Sequence, residues 1–449
     1  MAETRLGVMR RDIGGMVEYL DGLPKARPAV REPFELGRAA MDVYKWDEAI
    51  WHLRDAVKEA RGTEVVALFN LIGLCHCTAG RPDYALRSYE KAVELAEQFG
   101  DRPGKAANLC NIGNIYRAKG EPDKALLYHE EVLAMHREAG NQPGVAHQLG
   151  NIGLIYSAKG EPDKALKYYE EALVIDREIT YQQGVAVDLR TIGNMYRVKG
   201  ESDKALKYYE EALTTDREIE SQPGVASDFG DIGDVYRTRG ELDKALQYYE
   251  EALAIDRETG YQPGVADQLG NIGLIYSAKG ESDKALKYYD EALAIDRGIG
   301  YEPGVAKHFG NIADIYRAKG EPDKALMYCV EALETYRRIG YQPGVASALG
   351  NIGNTYVWAM RRRVAAPPAV DRDNQVNALA GNAIEHLVPA LGTFLKLGTA
   401  DALKQCLWGL GECYKVLGRE RFVAECVKAG MRKPEAERLT GEVQAEPKK

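Results

Sequence analysis

Long apolar runs are missing from this 449-residue chain. No stretch approaches about 18 consecutive apolar residues, the length a bilayer-spanning helix needs. A basic surplus is missing too. The 59 Lys and Arg stand against 68 Asp and Glu, a net charge of -9, whereas binders of duplex nucleic acid carry excess positive charge. The opening residues, MAETRLGVMRRDIGGMVEYL, have no apolar core of the secretory kind. Cysteines are few, seven in all, odd in number and without recurrent spacing. They read as free thiols in a reducing compartment, so a cytoplasmic location is expected.

Signatures of chemistry are equally scarce. The histidines, His52, His76, His129, His136, His147, His308 and His386, supply no spaced pair of the zinc-hydrolase type. No glycine loop followed by Lys-Ser or Lys-Thr is present to cradle phosphate. Cys75-His76-Cys77 resembles a metal cluster, but adjacent residues on a helix point apart. His76 also falls in a column of packing residues. No catalytic residue, metal or cofactor is therefore expected, and the chain is not expected to be an enzyme.

What is present is repetition. The segment LGNIGLIYSAKGEPDKALKYYEEAL (149–173) returns as LGNIGLIYSAKGESDKALKYYDEAL (269–293), and related copies begin at Leu109, Leu189, Phe229, Phe309 and Leu349. The period is 40 residues. Gly73, Gly113, Gly153, Gly193, Gly233, Gly273 and Gly353 form one column, broken only by Ala313; Ala85, Ala125, Ala165, Ala205, Ala245, Ala285 and Ala325 form another. Each unit reads as two helices, the first from about Val145 to Lys159. Gly160 supplies the positive φ that ends it, and Pro162 fits the first turn of the next. A Tyr-Gln-Pro-Gly link, as at 261–264 and 341–344, is expected to lead into the following unit.

Helical periodicity assigns the faces. Leu149, Ile152, Gly153 and Tyr156 share an arc of the first helix, and Ala165, Tyr169 and Ala172 share a face of the second. No unit can bury these faces alone, so neighbours must stack. This set resembles the tetratricopeptide repeat, whose usual length is 34 residues. The 40-residue form is similar to the repeats of kinesin light chains and Pins-type G-protein-signalling modulators. The resemblance covers roughly residues 33 to 430. It implies an all-α fold, an α-solenoid of about nine to ten antiparallel helix pairs in a right-handed superhelix. It also implies binding of peptides or proteins on the concave surface.

The expected organisation starts with an N-terminal helical or flexible segment, 1–32. An array follows over 33–360, with repeats near 33–60, 65–100, 105–140, 145–180, 185–220, 225–260, 265–300 and 305–340 and a first helix at 345–360. Then come an inserted loop at 361–374, a degenerate repeat and cap over 375–430, and a disordered tail, 431–449. The run Arg361-Arg362-Arg363 reads as a surface loop able to dock an acidic partner.

Candidate binding residues lie opposite the packing arc of each first helix. One column reads Asn111, Asn151, Thr191, Asp231, Asn271, Asn311, Asn351, and amides suit the backbone of an extended ligand. A second reads Asn114, Leu154, Asn194, Asp234, Leu274, Asp314, with Asn354 following, and a third Arg117, Ser157, Arg197, Arg237, Ser277, Arg317. The last two change together every three repeats, as a duplicated three-repeat block would. Arg190 is placed on the same face. Arginine grips carboxylates with two hydrogen bonds, but it is equally open to pairing with acids of the adjacent unit. Gly150, Gly230, Gly270, Gly310 and Gly350 mark a close approach, either of a ligand or of the next helix. Glu170 and Glu171 recur on a solvated face.

The expected function is a protein-binding adaptor that holds an extended segment of acidic or mixed charge, without nucleic acid or membrane insertion. The alternatives are a self-assembling structural repeat protein and a regulatory subunit of an enzyme on another chain.

Overall fold

The computed structural model describes residues 28–42, 45–366, 371–397 and 399–445. Among them are twenty helices and no strand. The chain divides into two compact units, Met1–Ile219 and Glu220–Lys449. The first contains α1 (Pro28–Asp42), α2 (Trp46–Glu59), α3 (Thr63–Thr78), α4 (Pro82–Phe99), α5 (Arg102–Ala118), α6 (Pro122–Glu138), α7 (Gln142–Ala158), α8 (Pro162–Glu178), α9 (Gln182–Val198) and α10 (Ser202–Glu218). The second contains α11 (Gln222–Thr238), α12 (Leu242–Glu258), α13 (Gln262–Ala278), α14 (Ser282–Gly298), α15 (Glu302–Lys319), α16 (Pro322–Arg338), α17 (Gln342–Ala365), α18 (Arg372–Leu397), α19 (Ala400–Lys428) and α20 (Lys433–Ala445). Within each unit consecutive helices form antiparallel hairpins stacked in chain order, an α-solenoid.

The punctuation residues act as their chemistry requires. Gly160 has φ 73°, which an L side chain tolerates poorly. Pro162 opens α8, where its missing N–H costs no helical bond. The Tyr-Gln-Pro-Gly segment is not a link, however. Gln262 and Pro263 already lie in the first turn of α13, and Tyr261 stands at its N-cap. Where a short polar residue takes the cap position it closes the turn: Asp101 and Asn141 accept from the backbone N–H of Gly104 and Gly144 at 2.9 and 3.1 Å.

One contact sets the distance between the two helices of a hairpin. A β-carbon on Gly153 would stand 2.6 Å from the Tyr169 ring. The same approach recurs between Gly73 and Tyr89, Gly193 and Tyr209, Gly233 and Tyr249, and Gly273 and Tyr289, at 2.5 to 2.8 Å. Gly113 meets His129 and Gly353 meets Leu387. The exception explains itself: opposite Ala313 the tyrosine is replaced by Cys329, and both are buried. A stacked ring pair braces most of the hairpins near the turn. Tyr156 stacks on Tyr168 at 5.4 Å, and Lys164 lies over the Tyr156 ring at 5.1 Å.

The edges depart from expectation. The stretch 361–374 is not a loop over its length: α17 runs on to Ala365 and α18 begins at Arg372. Residues 367–370 lie outside the described residues. Arg361 and Arg362 are helical and lie over the rings of Trp408 and Trp358 at 5.5 and 4.7 Å. Instead of a disordered tail, α20 packs Ala436, Leu439 and Val443 into a core with Leu410, Cys413 and Phe422. Residues 446–449 and most of the expected N-terminal segment fall outside the described residues. A glycine again makes the cap possible: α19 bends at Gly418, where φ is 72° and ψ 172°.

Replacing Gly153 by Ala is expected to cost about 1–3 kcal/mol, the usual range for overpacking. Adding Tyr169→Cys, the pairing found at Ala313 and Cys329, should recover part of that loss. Urea denaturation of the two single variants and the double variant measures the coupling. Strictly additive losses would show that the ring contact does not set the helix spacing.

Candidate functional site

The residues expected to bind a ligand stand on the first helices of the hairpins. In the first unit, Asn111, Asn114, Asn151 and Asn194 are half-buried, and Arg117 and Leu154 are exposed. The arginines do not stand free. Arg117 donates to Asn114 at 3.5 Å and Arg197 to Asn194 at 3.1 Å, each one turn earlier on the same helix. Asn194 also accepts from the Tyr209 hydroxyl at 3.0 Å. The amides of Asn114 and Asn151 lie 3.8 and 3.9 Å from the Cys110 sulfur.

The second unit repeats the scheme with carboxylates. Asp234 accepts from Tyr249 at 2.7 Å and from Arg237 at 3.2 Å, and Arg317 pairs with Asp314 at 2.8 Å. Asp231, Asn271, Asn351 and Leu274 are half-buried, and Leu274 packs against the core that holds Phe309. One polar atom each of Asn311 and Asn354 is shielded without a hydrogen-bond partner among the described residues. Arginine charge is thus balanced on its own helix, chiefly where Asp replaces Asn.

One expectation needs correction. Arg190 does not face outward. It turns in to the buried Asp216 at 2.5 Å, because an acid in a repeat seam demands a cation. Of the two approaches expected at the glycine column, that of the next repeat is the one found at Gly270 and Gly230: a β-carbon on Gly270 would meet the His308 ring at 2.7 Å, and one on Gly230 the Gln268 amide at 3.2 Å. Glu171, expected in solvent, is exposed but receives Arg137 from the preceding repeat at 2.8 Å. Lys159 reaches back to Asp123 at 2.7 Å and Lys199 to Asp163 at 2.7 Å, an exposed ladder between repeats.

A buried polar seam escaped the sequence reading. Asn108, Gln148, Asp188, Asp228, Gln268 and His308 occupy one column and are all buried. So are Asp176, Asp216, Asp256 and Asp296 of the second-helix column. Gln148 meets His129 at 2.9 Å, Asn108 meets Asn70 at 3.0 Å and His308 meets Asp296 at 3.2 Å. The signal was available: Val145, Gln148, Ile152 and Ile155 follow the helical spacing of a buried stripe. The acidic column also accounts for the glycine of Tyr-Gln-Pro-Gly. A β-carbon on Gly184, Gly264 or Gly304 would run into Asp176, Asp256 or Asp296, so the acid lies against the first turn of the next helix, where its charge is favoured.

Four segments, 64–138, 144–218, 226–298 and 304–366, match the model of the tetratricopeptide repeat, together well over half the chain. The chain belongs to the tetratricopeptide repeat family. It matches no curated protein sequence. Among solved structures, the BtubC protein of P. vanneervenii is 23% identical over 48% of this chain and 91% of its own, with a TM-score of 0.44. A Podosopora anserina putative kinesin light chain with nearly identical repeats is 15% identical over 44% of this chain and 99% of its own, at 0.38. A Pyrococcus horikoshii signal-transduction ATPase with a tetratricopeptide repeat sensor is 15% identical over 87% of this chain but 54% of its own, at 0.49.

Within this repeat array, reactive groups are subdued by burial. The Cys75 thiol is pushed up to about 12 by loss of solvent, and its neighbour His76 stacks on Tyr84 at 5.4 Å. No group of three or more His, Cys, Asp or Glu able to hold a metal ion occurs among the described residues, and no described helix is long and apolar enough to cross a membrane.

The buried acids are the exception with consequences for pH. Burial, reinforced by the charge of Asp176, pushes Asp188 up to about 8. Folding therefore takes up a proton here. The resulting stability is complete at acid pH, below the ordinary Asp value, and is lost as pH rises through about 8. Asp188→Asn should flatten that fall. Denaturation of both proteins at pH 5 and pH 9 checks it, and parallel losses in the two would exclude Asp188 as the source.

Proposed function

We propose that this tetratricopeptide repeat protein is a non-catalytic, cytoplasmic adaptor, and that the row of first helices within a unit holds an extended segment of a protein partner. The observation that carries the reading is the ladder in the first unit. Half-buried Asn111 and Asn151 stand at one position of α5 and α7, and half-buried Asn114 and Asn194, with Leu154 at 44% exposure between them, at a second position along α5, α7 and α9. An amide side chain can both donate to and accept from an extended backbone. A ladder of such contacts gains from each added rung, because every further contact forms at high effective concentration. The arginines contribute less raw charge than their number suggests, since each answers to Asn or Asp one turn away. A ligand of mixed polarity fits better than a uniformly acidic one. The same polarity differs from the continuous basic track that single-stranded nucleic acid requires.

A photo-crosslinking residue placed at Leu154 or Arg117 in cells should trap a protein partner, and one placed at Glu170 on α8 should not. Arg117→Ala with Arg197→Ala should weaken that partner's binding most at low salt, while folding stability shifts by no more than about 0.5 kcal/mol at the exposed Arg117. Crosslinks arising only from Glu170 would move the binding face to the second helices and end this reading.

A further inference from the structure

The position of Arg190 and its equivalents decides what stands over the buried acids. Arg190 on α9 reaches Asp216 on α10 at 2.5 Å. In the second unit the equivalent residues are Gly230, Gly270, Gly310 and Gly350, and at the first two the next repeat fills the room. Gln268 covers Gly230, and His308 covers Gly270 while meeting Asp296 at 3.2 Å. At Gly150 on α7 neither device operates. A β-carbon there would meet no atom within 4 Å, and Gly150 is half-exposed. The reason is the residue from the next repeat: Asp188 is shorter than the Gln or His found in its column.

By the equivalence with Arg190 and Asp216, Gly150 corresponds to Asp176, whose charge acts on Asp188 of the next repeat. Asp176, the equivalent of Asp216, is 6% exposed, and Asp188 is 9% exposed. Among the described residues, Oδ1 of Asp176 and Oδ2 of Asp188 are shielded and have no hydrogen-bond partner, and the same holds for the Tyr169 hydroxyl beside Asp188. Neighbouring buried carboxylates without a cation are strongly disfavoured, and a paired, hydrogen-bonded cation is what relieves them. The seam formed by α9 and α10 shows the group that does so: a guanidinium, whose flat fork of N–H donors can serve two oxygens at once.

We propose that the opening over Gly150, floored by Asp176 and Asp188, is a binding site for a guanidinium group supplied from outside the chain. The group enters where an arginine at position 150 would lie and meets the acids as Arg190 meets Asp216. The elevated proton affinity of Asp188 fits this reading, since a proton on the pair substitutes for the cation and leaves when the cation binds. The proposal does not rest on the ladder of amides and survives if crosslinks place the partner elsewhere.

The test titrates agmatine, and separately a capped Ala-Arg-Ala peptide, into the full chain by isothermal calorimetry. Saturable binding of at least one probe is expected. Asp176→Asn should weaken it by at least about tenfold, as loss of a charged hydrogen-bond partner does. Gly150→Arg, which delivers the guanidinium from within, should abolish it. Binding of the peptide alone assigns the group to an arginine of a protein partner, and binding of agmatine with comparable strength assigns it to a small molecule. If Asp176→Asn does not fold, Asp188→Asn takes its place. Independently, Gly150→Arg should melt higher than Gly150→Met, which fills the same room without charge. Wild-type protein that binds neither probe overturns the proposal, and so does Gly150→Arg melting no higher than Gly150→Met.

Discussion

The contact on which the rest depends is a ring against a bare backbone. Tyr169 lies so near Gly153 that a single added carbon would stand 2.6 Å from it. Because interiors are close-packed, such a contact fixes the spacing of two helices rather than merely permitting it. The outer residues of the candidate site inherit their positions from it. The hydroxyls of Tyr209 and Tyr249 emerge beside Asn194 and Asp234 and bond to them. Those residues in turn hold Arg197 and Arg237. Where Leu154 takes the same place, the Tyr169 hydroxyl has no such partner. The variable outer surface is thus tied to an almost invariant inner one.

Between repeats the rules differ. Glycine, alanine and tyrosine columns are nearly uniform, so apolar packing alone would let one repeat stack on any other. The buried seam is not uniform. Asn108 meets Asn70, Gln148 meets His129 and His308 meets Asp296. Each pair satisfies its own neighbour and would leave an unpaired polar group against another, which is costly in a low-dielectric interior. Polar matching therefore gives order to units that shape complementarity cannot tell apart. The exposed ladder of Lys159 to Asp123 and Lys199 to Asp163 has no such selectivity. The same pairing recurs in most repeats, and exposed pairs contribute little.

The seam also links stability to function. Acids placed against the first turn of the next helix are favoured by its dipole, yet burial opposes their charge. Where an arginine or histidine is at hand the conflict is resolved within the chain. At Asp176 and Asp188 it is not, and the same physical need that makes a weak seam also makes a place for a cation.

The hairpins, the period and the packing faces were all legible in the residues, because they follow from local rules. Helical spacing places Leu149, Ile152 and Gly153 together, positive φ selects Gly160, and a first turn admits Pro162. Membership in the repeat family followed from the same columns. Other features depended on distance in three dimensions. The inward turn of Arg190 needed Asp216, 26 residues on, to be buried within reach. The glycines at 230 and 270 needed the side chains of the next repeat to declare which way they face. The helix at 433–445 has a weak local signal and exists because an apolar core stands ready for Leu439 and Val443. Sequence alone determined which residues pack within a repeat; the tertiary structure decided which polar residues are buried between repeats, because a charge's fate rests on the partners that folding brings to it.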